Sequence, residues 1–219
     1  DLEQISQKEM TNNVVELMVD KIQKFPPETR TVLTLAANVG NQFNLKTLAV
    51  IYDQSPKSTL EALWQAVAEG LIISLNENYK LVGALDDEES NLQSAAQSYF
   101  KFQHDSIQQA ASALVPDTDK PALQLKIGRL LWADTLLTDD LGERVFDIVN
   151  LFNGGYTLII DETEKELLAR LNWLAGKKAK EGTAYQTATN YLALGIQLLS
   201  ETAWDKQYEM AFALHKEQG

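Results

Sequence analysis

The segment Lys101-Phe102-Gln103-His104-Asp105-Ser106-Ile107-Gln108-Gln109-Ala110-Ala111 marks the point where this chain changes from strand-forming to helix-forming sequence. The aromatic run Tyr99–Phe102 before it predicts a short strand. Asp105 with Gln108 three residues later predicts a capping box, in which the Asp105 side chain caps the N-terminus of the next helix. The junction therefore divides the chain into a mixed first part and a helical second part.

The first part contains apolar residues at helical spacing, followed by short strand-like runs. Helices are expected at residues 11–25, 28–39, 45–52 and 56–70. Strands are expected at residues 71–75, 79–82 and 99–103. Residues 83–98 hold four consecutive acidic side chains and few large apolar ones, so we expect a mobile acidic loop. Helices followed by a small β-wing are the order of a winged helix, which we predict for residues 1–115.

The second part, residues 116–219, is expected to be helical to its end. One stretch fits the tetratricopeptide repeat, in which small residues stand where two helices cross closely. Gly176, Ala188 and Gly195 are twelve and seven residues apart, as that template requires. The predicted fold is therefore mainly α: a winged-helix domain followed by a tetratricopeptide-like helical array.

Composition excludes several classes of protein. The chain has 219 residues and no cysteine, which excludes disulfides. Its net charge of −12 opposes binding to nucleic acid or anionic membranes. No apolar run is long enough to cross a bilayer, and a cytoplasmic protein is expected. The fourth predicted helix has Lys57 as its only base, against Glu61 and Glu69, so DNA binding is disfavoured. Trp64 on the same helix is expected in the core, with an anchor for a binding partner as the alternative.

The sequence contains no recognisable catalytic motif. Gly176-Lys177 lacks the earlier glycine of a phosphate-binding loop, because Leu171 occupies that position. The two histidines are far apart in the chain and lack ligand-spaced partners, so no metal site is expected. We therefore expect no catalytic residue and no cofactor in this chain. Because the chain begins at Asp1, we also expect it to be a piece of a longer protein.

Several segments resemble, in the same order, the region after the ATPase in large bacterial signalling proteins. Those proteins join a serine/threonine kinase, a STAND-type AAA ATPase and a sensor histidine kinase. The pattern F-x-H-D-x-x-Q-Q-A-A over Phe102–Ala111 carries the strongest likeness. The other similar segments are Phe25–Thr29, Leu35–Ala37, Leu63–Trp64, Glu69–Ile72, Leu125–Leu131, Phe146–Asn150, Gly176–Lys180 and Ala184–Tyr185.

The resemblance implies a non-catalytic regulatory segment that relays between a nucleotide module and partner proteins. ATP or ADP would bind the parent protein, and His104 would contact the ADP phosphate when the winged helix folds back on the nucleotide. An alternative is that His104 only packs at the strand–helix corner and bonds to the backbone. The implied partners are the adjacent ATPase module and other signalling proteins. A constitutive docking scaffold and a DNA-binding regulator remain alternative functions.

Overall fold

The computed structural model describes residues 2–78, 98–138, 141–199 and 208–218. They are mostly helical, with a small three-stranded sheet, which confirms the mainly-α prediction. The chain divides into two compact units, Asp1–Asp119 and Lys120–Gly219. The division falls between two helices, a few residues after the expected boundary at 115.

The first unit contains five helices and the sheet among its described residues. The helices are α1 (Leu2–Gln23), α2 (Pro27–Val39), α3 (Leu45–Tyr52), α4 (Pro56–Ala68) and α5 (Asp105–Ala113). The strands are β1 (Gln42–Asn44), β2 (Ile72–Ser74) and β3 (Tyr99–Phe102). The expected strand at 79–82 and all of the acidic loop except Ser98 lie outside the described residues.

The sheet is antiparallel, with β3 between β1 and β2. Phe43 pairs with Phe100, and Ile72 pairs with Phe102. Because side chains alternate along a strand, Phe100 and Phe102 both enter the core, where they are at most 1% exposed. Phe43 packs beside both rings, at centroid distances of 6.0 and 5.9 Å. This aromatic cluster fixes where β3 ends and α5 begins.

Local sequence signals set the ends of several helices. Ser55 caps α4 by accepting a hydrogen bond from Ser58 N at 3.1 Å, with Pro56 in the first helical position. The helix at 162–181 has Asp161 as its cap, which accepts from Glu164 N at 2.9 Å. The Glu164 carboxylate does not complete a capping box and instead pairs with Arg129 through two 2.7 Å bonds.

The second unit contains five helices among its described residues. They are α6 (Lys120–Thr138), α7 (Leu141–Gly154), α8 (Glu162–Glu181), α9 (Tyr185–Gln197) and α10 (Tyr208–Gln218), with a short 3-10 turn at Tyr156–Leu158. Helices α6 and α7 pack together, as do α8 and α9, and α10 packs on both members of the second pair. None of the described helices is long and apolar enough to span a bilayer.

Close helix crossings in the second unit depend on small residues. A Cβ placed on Gly176 would lie 2.7 Å from Leu192 Cγ, and one on Gly195 would lie 2.7 Å from Leu214 Cδ2. Ala188 is 2% exposed in the same interface. Real side chains essentially never approach this closely, so α8, α9 and α10 can pack at these distances only with small residues there.

A buried polar pair joins α7 to α8. Asn153 and Asn172 donate to each other's side-chain oxygens at 2.9 Å, and Asn172 also donates to the carbonyl of Leu168 at 3.0 Å. Asn172 is completely buried. Because a shifted pairing would leave these amides without partners in the core, the pair favours one register between the two helices.

Candidate functional site

The strand–helix corner at residues 103–105 presents polar side chains to solvent. Gln103, His104 and Asp105 are all exposed, although the residues on either side of them, Phe102 and Ile107, are buried. We call these three residues the His104 corner. The change from buried to exposed coincides with the end of β3 at Phe102 and the start of α5 at Asp105.

The helix cap at this corner differs from the predicted one. The N-cap residue of α5 is His104, whose extended backbone (φ −142°, ψ 150°) precedes the first helical residue, Asp105. The predicted capping box is therefore wrong. Asp105 has a helical backbone and cannot cap its own helix, so its carboxylate accepts a hydrogen bond from Asn41 Nδ2 at 3.1 Å instead.

Gln108, the other half of the predicted box, also has a different role. Its side-chain amide donates to the carbonyl oxygen of Ala37 at 3.1 Å and so joins α5 to α2. The end of α2 is thus held against the first turn of α5. This contact was not evident from the sequence, because the two residues are distant along the chain.

Backbone hydrogen bonds hold the corner on both sides. Phe102 N donates to the carbonyl of Asn41 at 3.0 Å, and Gln103 N donates to the carbonyl of Leu71 at 3.0 Å. The His104 carbonyl accepts from Ile107 N at 3.0 Å and, more weakly, from Gln108 N at 3.4 Å. The backbone of residues 102–105 is therefore fixed from three directions.

The imidazole of His104 is in a different situation from its backbone. It is exposed, and it forms no hydrogen bond or ion pair with the residues that the structure describes. The expectation that His104 packs locally and bonds to the backbone therefore holds for its carbonyl group and not for its ring. The corner presents a free imidazole on a rigid support, which is the arrangement that recognition of an external group requires.

The three side chains of the corner can form hydrogen bonds with an external group. Asp105 provides a carboxylate that already has a partner, Gln103 provides an amide, and His104 provides a ring that can donate to an anionic oxygen. Among the described residues, no three His, Asp or Glu side chains gather closely enough to hold a metal ion.

A second polar cluster lies in the helical unit. Arg144 pairs with Asp134 at 2.7 Å, and both side chains are largely buried. The pKa of the Asp147 carboxyl is raised because neighbouring protein atoms remove part of its hydration, although the residue as a whole is exposed. The positive charges of Arg144 and Lys178 act in the opposite direction and lower this pKa. The Arg144–Asp134 pair joins α6 to α7, so we assign this cluster a structural role.

Helices α8 and α10 form an open groove of about 1050 Å³. We call it the α8–α10 groove. Tyr208 and Phe212, which are 57% and 49% exposed, stack with their ring centres 5.9 Å apart on α10. The lining residues are Thr163, Glu166, Leu167, Arg170, Trp173, Leu174, Tyr208, Glu209, Met210 and Ala213. The groove combines apolar walls with charged rims, as protein-binding surfaces do.

Trp64 was expected in the core, and this prediction is wrong. It is 50% exposed on α4, whereas the neighbouring Leu63 is completely buried. The helical face that enters the core is formed by Thr59, Leu60, Leu63 and Ala66. A helix turns 100° per residue, so Trp64 points away from the face on which Leu63 lies.

The chain is similar to hybrid signal transduction histidine kinase G of Dictyostelium discoideum. The two are 27% identical over 256 residues, an alignment that covers 99% of this chain and 8% of the relative. No protein-family profile matches the chain, and no solved structure matches it. The similarity extends along nearly the whole chain and supports a signal-transduction context for it.

Proposed function

We propose that this chain is a non-catalytic regulatory arm of a larger cytoplasmic signalling protein that contains an ATPase and a kinase. In one state the arm docks on the adjacent nucleotide module, where the imidazole of His104 contacts a phosphate oxygen of ADP. In another state it releases the nucleotide module and binds partner proteins through its helices. The nucleotide and the kinase belong to the parent protein.

The free imidazole on a fixed corner is the observation that carries this proposal. Four backbone hydrogen bonds of 3.0–3.4 Å hold residues 102–104 and the first turn of α5. The ring itself is exposed. A hydrogen bond from the ring to a phosphate oxygen would be charge-assisted and therefore stronger than a neutral one.

The order of elements in the first unit supports a winged helix. Strand β1 lies between α2 and α3, α4 follows, and β2 and β3 come after it. This is the order of a winged helix with its three-stranded antiparallel sheet. The close crossings at Gly176 and Gly195 support a tetratricopeptide-like array in the second unit. The similarity to a hybrid histidine kinase supports a parent protein of the signalling class.

Nucleotide-dependent docking tests this function. The nucleotide module of the parent protein and this chain would be prepared separately, and their association measured by calorimetry with ADP, with ATP and without nucleotide. We expect association with ADP and at least tenfold weaker association with ATP, since a factor of ten corresponds to about 1.4 kcal/mol. Equal affinity in all three conditions would contradict the proposal, because a switch requires differential binding.

The α8–α10 groove favours a second candidate function, a constitutive docking scaffold. Its occupant would be an amphipathic helix of a signalling partner, whose apolar face would cover the exposed ring of Tyr208 in the groove. In this case Tyr208→Ala would weaken partner binding equally with ADP and with ATP. If the chain is instead a switch, the affinity of the longer protein for the partner would differ between ADP and ATP.

A further inference from the structure

We infer that Asn41 is a positioning residue for His104 and that it acts through Asp105. This inference rests on the nucleotide-sensing role proposed above for His104. Asn41 stands between Gly40, which follows α2, and Gln42, the first residue of β1. It is 63 positions away from His104 in the chain, and nothing in its local sequence marks it as functional.

Two hydrogen bonds connect Asn41 to opposite sides of the His104 corner. Its carbonyl oxygen accepts from Phe102 N at 3.0 Å, on the strand side. Its Nδ2 donates to Asp105 Oδ1 at 3.1 Å, on the helix side. Only Gln103 and His104 lie between these two anchoring points. Asn41 thus contacts both the end of β3 and the start of α5.

The side-chain bond also determines where the Asp105 carboxylate points. With Asn41 as its partner, that carboxylate is directed toward the β1 side of the corner. Without the amide, the carboxylate would be free to rotate toward the imidazole or toward an approaching phosphate. Two anionic groups repel at short range, so a freely rotating Asp105 would weaken the contact between His104 and a phosphate oxygen.

The contact has the character of a positioning device more than of a stabilising one. Both Asn41 and Asp105 are exposed, and water can replace an exposed hydrogen bond at little cost to folding. The carbonyl bond to Phe102 N would survive any substitution of the side chain. Removal of the amide is therefore expected to leave the fold intact and to change the order of the corner.

The first test uses the isolated chain. Asn41→Ala would be compared with Gln42→Ala, the adjacent exposed residue that carries the same amide group. Carbon-13 relaxation at Asp105 Cβ would report how much the Asp105 side chain moves, with the capping residue Asp161 as the internal reference. We expect greater motion of the Asp105 side chain in Asn41→Ala and unchanged motion in Gln42→Ala. Unchanged Asp105 motion in Asn41→Ala would overturn the inference.

The second test uses the longer protein with its nucleotide module, loaded with a fluorescent ADP analogue. We expect Asn41→Ala to release the analogue roughly twofold to tenfold faster than the wild type, and Gln42→Ala to release it at the wild-type rate. The exchanged pair Asn41→Asp with Asp105→Asn restores one donor and one acceptor and should recover most of the slow release. A lower melting temperature with an unchanged release rate would assign Asn41 a structural role and overturn the inference.

The two proposals fail in different ways. If His104→Ala accelerates release and Asn41→Ala does not, the inference about Asn41 is wrong and the sensing role of His104 stands. If neither substitution changes the release rate, the proposed function of His104 is wrong as well.

Discussion

At the scale of single residues, the absence of a side chain at Gly195 allows three helices to pack at one point. A Cβ there would lie 2.7 Å from Leu214 Cδ2, 3.3 Å from Asn172 Cβ and 3.4 Å from the Ala169 carbonyl. The spacing of Gly176, Ala188 and Gly195 predicted that α8 and α9 pack closely. It did not indicate that α10 packs at the same point. The sequence could not indicate Leu214, because no local pattern relates the two positions.

Gly195→Leu should therefore destabilise the helical unit. Overpacking of a tight interface typically costs about 1–3 kcal/mol, whereas the better helix propensity of leucine returns at most about 1 kcal/mol. The melting temperature is expected to fall. Gly142→Leu is the matched control, since a Cβ at Gly142 would meet no atom within 4 Å. A melting temperature that rises in Gly195→Leu would show that packing does not limit this position.

At the scale of elements, local signals predicted most helices, and non-local contacts explain what was missed. Ser55 with Pro56 and the acidic residue Asp161 are such local signals, and they stand at the observed starts of α4 and α8. Strand β1 was not predicted, because its three residues have little pattern of their own and owe their conformation to pairing with β3. The D-x-x-Q pattern was off by one residue, since the backbone at His104 decides the cap.

The strand–helix junction lies where the sequence predicted it, whereas the hydrogen bonds that hold it were not predicted. The strand–helix junction and its histidine were evident from the change between strand-forming and helix-forming sequence at residues 99–105. Asn41 and Leu71, which hold the corner through hydrogen bonds, come from distant segments that only the folded chain brings near. The sequence therefore predicted where His104 lies, and it gave no information on which residues hold the backbone of the corner.

Helix α4 leads to a prediction about nucleic acid. Lys57, Glu61 and Trp64 all lie on its exposed side, and the nearby Glu69 pairs with Lys21 at 3.2 Å. One base beside acidic groups cannot supply the phosphate contacts that dominate DNA affinity. We expect no sequence-specific shift of duplex DNA in gel electrophoresis at physiological salt. A salt-resistant, sequence-dependent shift that Lys57→Ala abolishes would show the opposite.

At the scale of the whole molecule, the chain divides into two compact units. The sequence contains no G-x-x-x-x-G-K-[ST] motif, the usual phosphate-binding loop. We expect the isolated chain to bind neither ATP nor ADP at micromolar concentrations in calorimetric titrations and to hydrolyse neither. A micromolar dissociation constant for either nucleotide would mean that the chain has a binding site of its own.

In the proposed function, His104 helps to hold ADP in the resting state of the longer protein. Loss of a charge-assisted hydrogen bond to phosphate should cost about 1.5–3 kcal/mol, which corresponds to roughly tenfold to a hundredfold faster release. Because the ring is exposed and forms no bond with the described residues, His104→Ala should leave the melting temperature of this chain unchanged. His215→Ala is the matched control.

The most direct test is the ADP off-rate of the longer protein, measured in the wild type, in His104→Ala and in His215→Ala. We expect release that is at least tenfold faster in His104→Ala and unchanged in His215→Ala. A wild-type off-rate in His104→Ala would contradict the sensing role of this histidine.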